Sequence, residues 1–193
     1  MKYINEKELI EKLKQGDDTA FKFIVEEYKN LVFNTAIGIV QNEEDAEDVA
    51  QEAFVQVYQS IHNFKGESKL STWLYRITVT KALDQERRKK RKKRSAILKR
   101  LFNSEEEIEV ETPDFHHPGV ILDQKEQASE LFKAIKKLPE NQKVAFILNK
   151  LEGLSYQEIS EVMNSSLSSV ESLLHRAKNN LRKNLNDYYQ KNL

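Results

Sequence analysis

The chain has 193 residues, no cysteine, and 31 Lys/Arg balanced by 31 Asp/Glu, so its formal charge is zero. That length makes one or two small domains, and the missing thiols exclude disulfides and thiolate metal sites and fit a reducing compartment. Five Gly and three Pro against abundant Lys, Glu, Leu, Gln and Asn point to an all-α protein.

The first residues lack an apolar core of signal-peptide length and no stretch is apolar enough to span a bilayer, so the expected location is the cytoplasm. Residues 5–14 read as a short amphipathic helix ending at Gly16. Asp17 or Asp18 caps a second, whose apolar residues Phe21, Ile24, Val25, Tyr28, Leu31, Val32 and Ile39 recur at helical spacing. A third runs from about Glu43 to His62 with Ala46, Val49, Ala50, Ala53, Phe54, Val57 and Ile61 on one stripe. After the turn NFKGES, Ser71 opens a fourth with Leu70, Trp73, Leu74, Ile77 and Leu83 inward. These stripes can bury one another as a helical domain over residues 1–94.

The neutral total hides a segregation of charge. Residues 81–100 hold eleven Lys/Arg against two acidic residues, with an unbroken basic run from Arg87 to Arg94, whereas residues 101–124 hold seven Asp/Glu and no Lys or Arg. Either block alone reads as a solvated face; side by side they point to a polyanion partner and a regulated linker. Periodicity fades over 95–124, where Pro113 and Pro118 flank His116 and His117, so this stretch is expected to be a flexible charged linker.

A second helical domain covers 125–193. Leu131, Phe132, Ile135 and Leu138 make a stripe, Pro139 suits the first turn of the next helix, and Gly153 suits its left-handed end. Two Ser-x-x-Glu boxes follow thirteen residues apart, Ser155…Glu158 and Ser168…Glu171, each the signature of a capped helix start. The first helix spans roughly 156–163; Asn164-Ser165-Ser166 make the turn; the second turns Val170, Leu174, Ala177 and Leu181 inward. Its outer face then carries Ser169, Glu171, Ser172, His175, Arg176, Lys178 and Asn179. Short capped helices alone fit an ordinary helical hairpin, but this polar and cationic face suits a helix-turn-helix whose second helix enters a major groove. Arg pairs with guanine and Glu with the cytosine amino group; Lys178, Arg182 and Lys183 suit phosphates.

Two further stretches carry chemistry. Glu44, Asp45, Glu47, Asp48, Gln51 and Glu52 lie opposite the apolar stripe of their helix, as a solvated face or as a dock for a basic partner. No His lies near them in sequence and they lack Asp-x-Asp loop spacing, so no metal site is expected there. In 63–94, Phe64, Trp73 and Tyr75 are interleaved with Lys65, Lys69, Arg76 and Lys81, which is what an unstacked single strand requires. Trp73 fits a core position equally well, with Phe64 plugging the turn.

The chain as a whole resembles the extracytoplasmic-function (group IV) sigma factors of bacterial RNA polymerase. DAEDVAQEAF (45–54) is similar to the family's region 2.2, FKGESKLSTWLYRI (64–77) to region 2.3, the basic helix after it to region 2.4, and residues 138–178 to region 4. The likeness covers about residues 17 to 185, and the order of several motifs makes it specific. It implies two small helical domains, regions 2 and 4, on a flexible tether. By it, Asp45, Asp48, Gln51 and Glu52 meet the β′ clamp helices of core polymerase, which also offers its β subunit. The turn holding Asn63, Phe64, Lys65 and Ser68 captures a base of the −10 element, and Trp73, Arg76, Lys81, Arg87 and Arg88 hold the adjoining strand and duplex. Ser169, Glu171, Ser172, His175, Arg176, Lys178 and Asn179 face the −35 element. The acidic linker threads toward the polymerase channels, and a membrane-tethered anti-sigma factor holds the protein in check. No catalytic residue, cofactor, metal or small-molecule substrate is implied. Three positions depart from the family pattern: Thr80 stands where Asn is usual, Asn164 replaces the turn Gly, and Ser160 replaces Ala, so its hydroxyl needs a backbone partner. The alternatives are a stand-alone helix-turn-helix regulator, which would bind paired half-sites without polymerase, and a metal-dependent phosphohydrolase built on the 43–52 carboxylates.

Overall fold

Capping side chains divide this chain into its helices. The computed structural model describes residues 6–102 and 125–191. Helix α1 (Glu6–Lys14) buries Leu9, Ile10 and Leu13. Asp17 then starts α2 (Asp18–Val40) by accepting from the Thr19 and Ala20 N–H groups, and those donors hold its carboxyl below the usual carboxylate range. Asn42 caps α3 (Glu43–Ser60) through the Asp45 N–H. Between these two helices Gln41 takes a left-handed φ of 53°, which costs a non-glycine residue strain. Its buried side chain is tied down by donating to the Phe132 carbonyl at 3.0 Å.

A single 3-10 turn, Ile61–Asn63, leads into the NFKGES loop. Helix α4 (Leu70–Phe102) begins one residue before Ser71, and the Leu70 N–H is capped from a distance by Glu6 of α1 at 3.1 Å. The helix runs on to Phe102, so the first eight residues of the expected linker continue α4. Residues 103–124, which hold the acidic stretch, the two prolines and the His116–His117 pair, lie outside the described residues.

The second half contains α5 (Lys125–Lys136), α6 (Glu140–Lys150), α7 (Tyr156–Met163) and α8 (Leu167–Lys191). Among the described residues every regular element is helical, as composition and periodicity lead one to expect. One apolar cluster, with Ile24, Val32, Val57, Ile61, Leu70 and Leu74 at its centre, belongs to the first half. Each such fully buried side chain supplies about 1.5–3 kcal/mol. The other cluster crosses between the halves: Ile37, Ile39, Val49 and Val79 pack in one continuous core with Ile135, Ile147, Leu148 and Leu174. The two halves are thus docked on one another.

Candidate nucleic-acid interface

The helix-turn-helix is α7 and α8. Ser155 and Glu158 form the reciprocal capping box that the sequence suggests, with Ser155 accepting from the Glu158 N–H and Glu158 from the Ser155 N–H. The Ser155 N–H and hydroxyl, with Lys69 behind them, lower the Glu158 carboxyl below its ordinary value. Helix α7 ends at Asn164, left-handed at φ 47° in place of glycine. Ser160, inside α7, donates its hydroxyl to the Gln157 carbonyl at 2.7 Å, the backbone partner that it needs.

The second box is not formed. Helix α8 starts at Leu167, and Ser166 caps it by accepting from the Ser169 N–H at 3.2 Å. Ser168 therefore lies in the first turn, and its hydroxyl pairs with that of Ser166. The consequence falls on Glu171, which is exposed and released from capping. Glu171, Ser172, His175 and Arg176 line one shallow surface depression. Their spacing puts them on one face of α8, opposite the buried Val170, Leu174, Ala177 and Leu181. Arg176 donates Nε to the Ser172 carbonyl at 3.2 Å, which aims its guanidinium along the helix. His175 and Asn179 share a 3.0 Å hydrogen bond. Lys178 is exposed, and Ser169 is half-buried at the helix start.

The α3 carboxylates do not form a uniform face. Asp48 and Gln51 are exposed. Asp45 is turned inward, its carboxylate accepting from Gln85 at 2.9 Å and pairing with Lys89 of α4. Glu52 accepts from Arg88 at 2.9 Å. Among the described residues no group of three or more His, Asp or Glu side chains is placed to hold a metal ion.

In the loop before α4, Asn63 and Lys65 are exposed and Ser68 is half-buried. Phe64 is buried, its ring 5.1 Å from that of the half-buried Trp73. Phe64 therefore props the turn from inside the core, and the surface of the loop is polar. Lys81 is half-buried on α4, where Thr80 returns its hydroxyl to the Arg76 carbonyl at 2.8 Å.

The second half covers this basic surface with partners that no sequence motif announces. Arg76 donates to the Glu161 carbonyl at 2.6 Å, Lys69 pairs with Glu158 at 3.3 Å, and Glu140 takes Arg87 at 2.9 Å and Lys90 at 3.6 Å. Burial pushes the Glu140 carboxyl up, but the Arg87 hydrogen bond and charge, with Lys90 behind them, hold it below its ordinary value. Deeper in, Lys143 reaches Glu86 at 2.6 Å. Tyr75 donates its hydroxyl to Glu152 at 3.2 Å. Glu140 reads in sequence as an ordinary first-turn acid and Glu158 as a capping acid; the docking of α6 and α7 on α4 adds Arg87 and Lys90 to the first and Lys69 to the second.

Burial pushes the Glu152 carboxyl up to about 7, against the opposing hydrogen bond from Tyr75. When the halves part, this carboxyl returns to the ordinary carboxylate range. The docked form then binds the extra proton between that range and about 7, and docking weakens as pH rises through 7. Small-angle scattering across neutral pH is expected to show expansion on the alkaline side, and Glu152→Gln is expected to flatten that dependence.

Known proteins place these halves in order. Residues 24–92 match the family model of Sigma-70 region 2, and residues 128–181 that of Sigma-70 region 4. The chain is 35% identical over 177 residues to the ECF RNA polymerase sigma-E factor of Haemophilus influenzae, covering 91% of this chain and 92% of that one. It is 30% identical over 184 residues to the RNA polymerase sigma-H factor of Pseudomonas aeruginosa, covering 93% of each. Among solved structures, the sigma factor RpoE in complex with the anti-sigma factor NepR from Bartonella quintana shares the fold with a TM-score of 0.63 at 22% identity, over 86% of this chain and 96% of that one. Among the described residues no helix is long and apolar enough to cross a membrane.

Proposed function

Because the chain belongs to the extracytoplasmic-function group of sigma-70 RNA polymerase sigma factors, we propose that its two halves divide core docking, −10 capture and −35 reading among the exposed residues described above. The protein directs core polymerase to promoters at initiation, and the covalent chemistry is left to the polymerase. The observation that carries the residue assignment is the face of α8: Glu171, Ser172, His175 and Arg176 share one depression on a helix whose opposite side is core. That face enters the major groove at the −35 element, with Arg176 and Glu171 as base readers, Ser172, His175 and Asn179 beside them, and Lys178 on phosphate.

Asp48 and Gln51 dock on the β′ clamp helices. Asp45 and Glu52 stand behind them and hold α3 against α4 through Lys89 and Arg88. At the −10 element, Asn63, Lys65 and Ser68 present the loop to a flipped base while Phe64 and Trp73 fix its shape, and Arg76, Lys81, Arg87 and Arg88 follow the strand. Melting costs roughly 1.4 kcal/mol per base-pair step, and a stacked base returns about 1–3 kcal/mol. One captured base offsets part of the opening, and contacts with polymerase supply the rest.

In the docked form Arg76, Lys69 and Arg87 already have oxygen partners on the second half. DNA phosphates must replace those partners, so engaging a promoter requires the halves to separate. The similarly folded RpoE from Bartonella quintana is in complex with an anti-sigma factor; this chain takes such a partner in the cytoplasm.

Asp48→Ala tests the division. It is expected to cost about 1 kcal/mol or more of core affinity while the preferred promoter sequence stays the same. Core affinity equal to wild type, or a changed promoter preference, would count against this placement of the docking face.

A further inference from the structure

The loop from Phe64 to Lys69, which joins the 3-10 turn to α4, has no cap of its own. At its entry the Phe64 N–H donates to the Ile61 carbonyl at 3.0 Å. At its exit the Lys69 carbonyl accepts from the Trp73 N–H at 3.2 Å, the first bond of α4. Lys69 therefore stands at the N-cap, where a lysine side chain has donors and no acceptor to offer. Between the two ends Gly66 takes a left-handed φ of 74° with no atom within 4 Å of where a Cβ would stand, so the chain turns there without packing to hold it. The missing support comes from α1, which lies before the span that matches region 2. Leu9, Ile10 and Leu13 of α1 share one apolar cluster with Ile61 before the loop, Phe64 inside it and Leu70 after it. Glu6, the first residue of α1, accepts from the Leu70 N–H at 3.1 Å across 64 positions of sequence, which sets a negative charge at the positive end of α4.

We propose that α1 is a splint for the −10 loop and that Glu6 is its positioning residue. By capping α4 from outside, Glu6 fixes where the loop ends, and so the shape in which Asn63, Lys65 and Ser68 meet a flipped base. The proposal rests on the sigma-factor reading above. Glu6 touches no DNA and acts through the Leu70 N–H. A loop that loses this tie samples other shapes, and its affinity for the strand falls with the fraction that stays competent. The reading face of α8 and the exposed Asp48 and Gln51 of α3 take nothing from this contact, so −35 reading and core docking are independent of it.

The experiment uses the full chain. Wild-type holoenzyme, formed with bacterial core polymerase, first selects a single strand and a duplex from random DNA pools as probes of −10 and −35 recognition. Glu6→Ala is expected to bind the selected strand about fivefold more weakly, as the loss of a helix cap implies, with affinity for core and for the selected duplex unchanged. Glu6→Gln keeps an acceptor oxygen and is expected to stay within about twofold of wild type. Trp73 is the single tryptophan of the chain and its ring lies 5.1 Å from that of Phe64, so its emission in the free protein reports on the loop. That emission is expected to shift to the red in Glu6→Ala, with helix content kept, and to match wild type in Glu6→Gln. Wild-type strand binding or unshifted emission in Glu6→Ala would overturn the proposal and leave the sigma-factor reading standing. So would an equal loss of core affinity or duplex binding, which would assign Glu6 to general stability. Failure of the wild-type holoenzyme to select any strand would overturn both.

Discussion

Lys143→Met is expected to drive the two halves of the protein apart. The Lys143 side chain is 2% exposed and its partner Glu86 11% exposed, at 2.6 Å. Removing one member of a buried pair strands the other charge, typically at a cost of about 3–5 kcal/mol. Here the partners belong to different halves, Glu86 on α4 and Lys143 on α6. The stranded carboxylate therefore regains water when the halves separate, without unfolding either. The expected result is a larger radius of gyration by small-angle scattering with helix content retained. The double variant Glu86→Leu/Lys143→Met removes both charges and is expected to dock again, since apolar replacement of a whole buried pair is often neutral or better. A compact Lys143→Met variant at neutral pH would show that the apolar cluster shared by the halves holds them with little help from this pair.

Arg176→Ala is expected to weaken recognition of the −35 element at essentially one base position. Its Nε is occupied by the Ser172 carbonyl, while its remaining donors point from an exposed position beside Glu171 and His175. A bidentate Arg–guanine contact discriminates by about 1–3 kcal/mol, hence roughly ten- to hundredfold in affinity. Binding of the variant holoenzyme to a set of single-base −35 variants should lose discrimination at one position and keep it elsewhere. Affinity for core polymerase should not change. Loss of core affinity matching that of Asp48→Ala would contradict the assignment of separate surfaces to the two tasks.

What sequence made legible was local. Apolar spacing located the helices and most of the core, and the Ser155…Glu158 box sits where its pattern put it. The Ser168…Glu171 box failed because Ser165, Ser166, Ser168 and Ser169 all offer an oxygen near the same turn. The choice falls to the geometry of the left-handed Asn164, after which Ser166 sits where the helix starts. That shift relieves Glu171 of a capping duty that competed with base reading. Asp45 and Glu52 could not be told from Asp48 by composition, since their partners Lys89 and Arg88 lie some forty residues away. The same holds for Glu140, Lys143 and Glu152: nothing in their neighbours foretells a contact across more than fifty residues of chain.

Run-off transcription by bacterial core polymerase on a promoter library, with and without this protein, tests the central claim most directly. Promoter-dependent transcripts are expected only when the protein is added, from templates sharing one −35 and one −10 sequence. No binding to core and no promoter-dependent transcript would contradict it.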